Sequence, residues 1–489
     1  MRLHSLISNL NSIQVTGKVS DTEITGIEYD SRRIIKDSVF VAIKGFKLDG
    51  HNFILDAIDR GAIAVILENN EVIPEVIFDH SGIAKILVND SREALAAASN
   101  LFYEEPSKKL NLIGITGTNG KTTTAFLLKN ILEEAGSKVG LVGTIANYIG
   151  NEKIDSKLTT PEANDLNNMF LQMAESGCHN AVMEVSSHAL ALKRVHSITF
   201  KGAIFTNITP EHLDFHKNFE NYLLAKKILF DSLSEDSFAL YNADDIHSAD
   251  IIKDSKAKKV SYGTSINSNF RMENISFGLH GTSVDVIYEN NIYNLTTTLV
   301  GEFNAYNSCA AFAAALLSGI DVETALRGVR KAAQVPGRFE IFGNGKRKVI
   351  IDYSHTPDSL EKALMVIKKL SGDNKKIITV FGCGGNRDAH KRPIMGKIAT
   401  NLSDEVIITS DNPRDEDPYF IIDQIKAGID KNNYRIIENR ENAIHDAIEK
   451  AGTNYVLLIA GKGHEDYQEI KGTRAHFSDR EVAEKYFKI

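Results

Sequence analysis

Ten consecutive residues, Gly114-Ile115-Thr116-Gly117-Thr118-Asn119-Gly120-Lys121-Thr122-Thr123, have the side-chain types that polyphosphate binding requires. Glycines let backbone N–H groups turn toward an anion, a lysine reaches the β and γ phosphates, and the following threonine hydroxyl binds Mg²⁺. Five residues separate Gly114 from Gly120, one more than the usual phosphate-loop spacing, so the loop is a variant. A glycine turn without a ligand is the plain alternative. Further on, Ala181-Val182-Met183-Glu184-Val185 carries one carboxylate in an apolar run. A lone buried carboxylate is costly, so Glu184 is a Mg²⁺ ligand or half of an internal salt bridge. Ser186-Ser187-His188 follow it, but no glycine precedes the serine as a nucleophile elbow requires, which argues against a hydrolase. In the polar run Thr206-Asn207-Ile208-Thr209-Pro210-Glu211-His212-Leu213-Asp214-Phe215-His216, His212 is either a helix N-cap or a ligand to a second Mg²⁺.

These groups need elements to hold them. The apolar run 110–116 is a buried strand before the glycine loop, and 122–134 has helical spacing after it. Strand-like runs recur at 139–142, 181–185 and 202–205, and again at 348–352, 377–381, 405–409 and 455–460. The last four each run into a polar loop. Strands alternating with helices predict mostly parallel sheets that bind ligands beyond the carboxyl ends of the strands. Asp417 as N-cap and Pro418 at the first position start a helix through 419–425. Before Pro106, the β-rich runs 39–42 and 64–67 and a helix at 91–101 make a small α/β unit. The expected fold is α/β in three domains: a small N-terminal domain at 1–105, a central P-loop ATPase-type, mostly parallel domain at 106–335, and a Rossmann-like C-terminal domain at 336–489.

Composition agrees with this size and excludes several classes. The chain has 489 residues, 43% of them hydrophobic and 25% charged, as in ordinary globular domains. Lys plus Arg number 56 against 64 Asp plus Glu, a net charge of −8, so no global basic field holds nucleic acid. The longest apolar run, 309–317, is too short for a membrane span. Cys178, Cys309 and Cys383 are too far apart to frame disulfides or a metal site, which fits reduced thiols in the cytoplasm.

Taken in order, the motifs resemble the Mur ligases, ATP-dependent amide-forming enzymes of peptidoglycan synthesis. The resemblance rests on the phosphate loop, on Glu184-Val185-Ser186-Ser187-His188 and His212-Leu213-Asp214, and on Ala225-Lys226. It continues in Gly301-Glu302-Phe303-Asn304-Ala305-Tyr306-Asn307 and Pro336-Gly337-Arg338, between Asp30-Ser31-Arg32 near the start and His476-Phe477-Ser478-Asp479 near the end. Asp352-Tyr353-Ser354-His355-Thr356-Pro357-Asp358, the run Gly384-Gly385-Asn386-Arg387-Asp388, and Asp411-Asn412-Pro413-Arg414 narrow it to members adding the third residue to UDP-N-acetylmuramoyl-L-alanyl-D-glutamate.

The resemblance implies roles. ATP and Mg²⁺ would be held by Gly117, Thr118, Asn119, Gly120, Lys121, Thr122 and Thr123, with Thr122, Glu184, His212 and Lys226 at the metal. Lys226 would be carbamylated; from the residues alone it is a lysine on a solvated helix face. Lys121, Lys226 and His212 would be catalytic, Asn304 and Asn307 would contact adenine, and Arg338 would approach the phosphates. Thr159, Thr160, Ser186 and Arg194 would hold the UDP-muramoyl substrate, with Ser31 near the uracil; Leu192 stands where relatives often place a polar residue.

For the incoming amino acid, Arg387 and Arg414 present planar forks suited to carboxylates. Meso-diaminopimelate carries a distal carboxylate and ammonium. Arg414, in Asp411-Asn412-Pro413-Arg414, can pair with the carboxylate, and Glu465 and the Gly461 carbonyl can take the ammonium. L-lysine would leave that Arg unpaired, at a cost of several kcal/mol. A surface arginine after a turn is the plain alternative. The ligands all being anionic, the acidic chain must contain a positive cleft, for which Lys121, Arg194, Arg338, Arg387, Lys391, Arg392, Arg414 and Lys462 are the candidates. The third domain is expected to close on binding, bringing Arg338 to the phosphates. The chain is expected to act as a monomer with no nucleic-acid or membrane partner. The competing functions are a lysine-adding or folylpolyglutamate-type ligase and, more distantly, a P-loop regulator. The last should carry Asn-Lys-x-Asp, and Asn374-Lys375-Lys376-Ile377 fails that pattern.

Overall fold

The protein is represented by a computed structural model that describes every residue except 47, 344–346, 373–374, 453 and 488–489. Asn374 of the Asn-Lys pair therefore lies outside the described residues.

Three sheets follow one another along the chain, each with its own core. The first orders Ser12–Gly17, Ala84–Val88, Ala62–Leu67, Ser38–Val41 and Ile27–Glu28, parallel except for Ser12–Gly17 at the edge. Helix Ser91–Phe102, capped by the Asp90 carboxylate on the Arg92 and Glu93 N–H groups, closes this unit before Pro106.

In the central sheet, Asn111–Thr116 lies between Gly202–Phe205 and Asn180–Glu184, all parallel. Both margins turn antiparallel. A meander of Phe270–Gly278, Gly281–Tyr288 and Asn291–Thr297 ends one side, and Ala146–Ile149 with Glu152–Asp155 ends the other. Helix Glu302–Leu317 is rich in alanine because it is buried against helix Lys121–Glu134 and the sheet. The sheet is mostly parallel, as expected, with antiparallel pairing confined to its margins.

The third sheet runs Glu340–Phe342, Lys348–Asp352, Tyr455–Ala460, Lys376–Phe381, Glu405–Ile408 and Tyr434–Ile436, parallel except for its first strand. Helix Pro418–Lys426 starts where expected, with the Asp417 carboxylate accepting from the Tyr419 N–H. The strand ends are tied together from below. The fully buried Arg440 donates twice to Asp479 at 2.7 Å and once to the Ala460 carbonyl at 3.0 Å. A separate hairpin, Tyr467–Ile470 with Thr473–His476, leans on the loop that carries Arg414.

Candidate active site

The phosphate loop explains its own irregular spacing. Gly117 and Gly120 have φ of 149° and 89°, which side chains rarely adopt, and a Cβ on them would run into Thr206 and Asn307 respectively. Gly114 lies inside the strand, where a Cβ would press on the Phe200 ring, so it belongs to packing rather than to the loop. The loop is braced from the neighbouring strand end. Asn207 Oδ1 accepts from the Asn119 N–H at 2.9 Å, and the Thr206 hydroxyl donates to the Asn119 carbonyl at 2.6 Å.

Lys121 Nζ donates to the Gly117 and Thr118 carbonyls, both at 2.7 Å, so its ammonium is curled over the loop. Burial lowers its pKa, and the Glu211 and Glu184 carboxylates oppose that shift. Glu184 is fully buried at the end of its strand. Its carboxylate accepts from the Thr122 hydroxyl at 2.8 Å, the Thr144 N–H at 2.8 Å and the Thr144 hydroxyl at 3.0 Å. The internal salt-bridge reading is thereby replaced by hydrogen bonds to neutral donors. A carboxylate and a hydroxyl beside a phosphate loop form a hard oxygen set that suits Mg²⁺, which takes one or two protein oxygens and completes its shell with phosphates and water. Among the described residues no group of three His, Cys, Asp or Glu side chains forms a self-sufficient metal cage.

Lys226 overturns the solvated-face alternative. It is 1% exposed, its Nζ donates to the Gly117 carbonyl at 2.9 Å, and it sits 4.5 Å over the Tyr222 ring. Burial first, then the charge of Lys121, push its pKa well below the usual lysine value. His212 occupies the N-cap position of a four-residue helix with φ of 56°, as one of its two readings expects, and its side chain makes no capping bond there. Its ring meets His188 at 4.7 Å between centroids, and His188 meets His216 at 5.5 Å. His216 in turn shares a buried 3.0 Å hydrogen bond with the Ser187 hydroxyl, which gives that serine a structural partner.

Burial lowers His188, His212 and His216 to about 4 each. Unfolding returns them toward 6.5, so between pH 6.5 and 4 the unfolded chain binds more protons than the folded one. Stability is therefore expected to fall as pH drops through that window. Thermal unfolding from pH 7.5 to 4 reads this, and a melting temperature that rises on acidification contradicts it.

The third domain touches the phosphate loop. Arg338 donates to the Thr122 hydroxyl at 3.2 Å, and Asn119 Nδ2 donates to Asp358 at 2.9 Å. His355 lies 3.1 Å from Glu211 through Nε2 and 2.8 Å from the Tyr353 carbonyl through Nδ1. Burial alone would raise Glu211, but the His355 hydrogen bond and nearby cations outweigh it and hold this carboxylate far below its ordinary range. Glu211, His355 and Asp358 were not singled out from sequence, although all three lie in motifs that were. Their partners are more than a hundred positions away, which no local spacing reveals.

One cavity of 2090 Å³ connects these groups. A drug-sized ligand fills roughly 300–1,000 Å³, so this space accommodates several substrates at once. Its wall includes Thr118, Asn119, Gly120, Lys121, Thr122, Thr123, Thr159, Thr160, Glu184, Ser186, Arg194 and His212. Across from them stand Asn307, Arg338, Arg387, Asp411, Asn412, Arg414, Gly461 and Glu465. Four expected residues are not on this wall. Gly117 belongs to the loop and accepts from the buried Lys226 behind it, and Ser31 is buried with its hydroxyl on Asp56. Asn304 spends its amide on the Val300 carbonyl and accepts from Asn307, so it positions Asn307 rather than facing the cavity.

Beside Glu184, Thr160 donates to the Glu184 carbonyl at 2.8 Å, and Arg194 pairs with Glu162 at 2.7 Å. Arg194 Nε and Arg338 Nε are buried without a hydrogen-bond partner among the described residues.

At the other end, Asn412 donates to Glu465 Oε2 at 2.7 Å and accepts from Lys462 at 3.1 Å. Arg414 spends one donor on the Gly385 carbonyl at 2.8 Å, and among the described residues it forms no ion pair with a carboxylate. Two members of the expected positive cleft are corrected. Lys462 is fully buried against Asn412 and Glu465, and Arg392 is 1% exposed and held by Glu416, Gln424 and the Gly384 carbonyl. Both brace the loops from behind, because a helix or strand-end cation can point inward wherever carboxylates wait for it. Cys383 lines the cavity as a packed thiol whose pKa burial raises to about 12, and all three cysteines are free and buried.

Comparison with known proteins agrees along the whole chain. Residues 23–103 match "Mur ligase family, catalytic domain", 115–315 match "Mur ligase middle domain", and 337–463 match "Mur ligase, glutamate ligase domain". A UDP-N-acetylmuramoyl-L-alanyl-D-glutamate–2,6-diaminopimelate ligase of Clostridium botulinum is 45% identical over 474 residues, covering 96% of each chain. A solved structure of an enzyme of that name superposes with a TM-score of 0.71 at 30% identity, over 100% of this chain and 99% of the other. The MurF ligase of Thermotoga maritima in complex with ADP shares the fold, with a TM-score of 0.63 at 18% identity over 95% of this chain and 97% of that one.

Proposed function

This chain belongs to the Mur ligase family, and we infer from that membership and its cavity how it works as a diaminopimelate-adding ligase of peptidoglycan synthesis. The family is ATP-dependent. The reaction makes an amide between the D-glutamate γ-carboxylate of UDP-N-acetylmuramoyl-L-alanyl-D-glutamate and an amine of meso-diaminopimelate. The observation that carries the mechanism is the single cavity joining the phosphate loop to the Arg387 and Arg414 loops.

The γ-carboxylate attacks the γ-phosphorus of ATP, ADP leaves, and the acyl phosphate stays in place. The amine then attacks the acyl carbon, and phosphate departs from the tetrahedral intermediate. Positioning and charge neutralisation supply most of the rate in such a transfer. Lys121 exchanges its two loop carbonyls for phosphate oxygens, and Arg338 swings its fork from Thr122 to the same group. Thr122 and Glu184, with His212 and Lys226 at a second position, are the residues that would hold Mg²⁺. Once bound, the ion would neutralise charge on the phosphates. Lys226 is proposed to be carbamylated: burial pushes its pKa down and favours the neutral amine, which adds to CO₂ and loses a proton to become an anionic ligand.

Asn307, held by Asn304, is assigned to the adenine. Thr159, Thr160, Ser186 and Arg194 are assigned to the muramoyl dipeptide, and Ser31 to the uridine end. Arg387, Asp411, Asn412, Arg414, Gly461 and Glu465 are assigned to diaminopimelate. The division of labour is proposed to run 1–105 for the UDP end, 106–335 for ATP and 336–489 for the amino acid. Among the described residues no helix is long and apolar enough to cross a membrane, and with three free thiols this supports a cytoplasmic location. Mass spectrometry of a reaction with ATP, the UDP dipeptide and meso-diaminopimelate tests the assignment. The UDP-tripeptide and ADP should appear together, and ADP without the new amide contradicts it.

A further inference from the structure

We propose that the hairpin Tyr467–Ile470/Thr473–His476 is a specificity element of the amino-acid pocket, with Arg474 as a further guanidinium for the acceptor's distal carboxylate. The inference rests on the diaminopimelate reading above and extends it to residues outside the strand-end loops.

The hairpin first fixes Arg414. That residue has φ of 52°, an uncommon conformation for a side chain of this size, and it persists because hydrogen bonds clamp it on both sides. Its N–H donates to the Glu469 carbonyl at 3.0 Å, and its carbonyl accepts from the Lys471 N–H at 2.7 Å, forming a bridge to Ile470. Glu469 also donates its N–H to Asn412 Oδ1 at 3.0 Å. The hairpin therefore holds the side chain of Asn412 and the backbone of Arg414.

The same hairpin brings its own charge. Arg474 stacks its guanidinium 4.2 Å over the Tyr467 ring and lies 3.3 Å from the Glu469 carboxylate through Nε. Stacking orients the planar fork, and pairing at Nε leaves the terminal N–H groups available. Asp466, Tyr467 and Arg474 all line the cavity beside Arg414 and Glu465. Arg414 and Arg474 thus approach the acceptor end from two different elements. A ligand whose far end carries both a carboxylate and an ammonium meets this pair together with Glu465. A ligand ending in an ammonium alone meets two guanidinium groups with nothing to offer them. Because Arg474 is 62% exposed, its contribution is screened by salt, and replacing it leaves no hole in the core.

The test is steady-state phosphate release by the full-length enzyme with meso-diaminopimelate varied, at low and high ionic strength, for Arg474→Gln and Arg474→Lys. Arg474→Gln should raise the KM for diaminopimelate about three- to tenfold with little change in kcat. It should also flatten the rise of that KM with salt and leave the KM for ATP and for the UDP dipeptide unchanged. Arg474→Lys should recover most of the loss. A wild-type KM and salt response in Arg474→Gln overturns the proposal, as does a parallel shift in the KM of all three substrates. Wild-type enzyme that releases no phosphate with diaminopimelate overturns the underlying reading and this inference with it, an outcome distinct from the others because it precedes any substitution.

Discussion

Lys121→Met is expected to lower kcat by about 10²–10³-fold while leaving the KM for diaminopimelate unchanged. Methionine keeps most of the stem volume and removes only the charge. In the protein that charge sits on the Gly117 and Thr118 carbonyls between Glu211 and Glu184. It therefore waits where γ-phosphoryl charge develops rather than where the amino acid binds. Loss of one preorganised donor from an enclosed site weakens the transition state far more than the ground state. Stopped-flow phosphate release with saturating substrates reads the effect, and thermal unfolding verifies that the variant is folded. A variant with near-wild-type kcat would remove Lys121 from the chemistry.

Arg414→Ala is expected to act on the other end of the reaction. Truncating one partner of an enclosed charge pair costs about 2–5 kcal/mol, which is from some thirtyfold to a few thousandfold in kcat/KM for diaminopimelate. The nucleotide and UDP-dipeptide KM values should hold, because Arg414 is tied to Gly385 and the hairpin and not to the phosphate loop. Turnover with L-lysine should fall much less, so the preference between the two acceptors should narrow. Initial rates with each acceptor measure this, and an equal loss for both would mean that Arg414 supports the loop without reading the distal carboxylate.

The features legible in the sequence were those written in short spacings. The loop 117–120, the buried strand before it and the Asp417 cap rest on neighbours within a few residues, and the structure has them in place. Strand ends could be picked out as ligand-bearing for the same reason. Less legible was the direction in which a long cation points. Lys226, Lys462 and Arg392 look like surface residues in sequence and are buried, because carbonyls and carboxylates from distant segments receive them. The pairs across domains, Asn119 with Asp358, Thr122 with Arg338 and Glu211 with His355, depend on how three separate cores are packed. The antiparallel margins were hidden differently. Gly281–Tyr288 alternates buried and half-buried residues with period two, but a chain dominated by strand–helix alternation directs attention to parallel pairing.

The central claim is that one cavity activates a carboxylate with ATP and delivers a diaminopimelate amine to it. Phosphate release measured with the UDP dipeptide and ATP, with no acceptor, with L-lysine and with meso-diaminopimelate, tests that claim most directly. Release should depend on the acceptor and be at least about tenfold more efficient with diaminopimelate than with lysine. Release at the same rate without any acceptor, or at equal rates with the two amino acids, would contradict it.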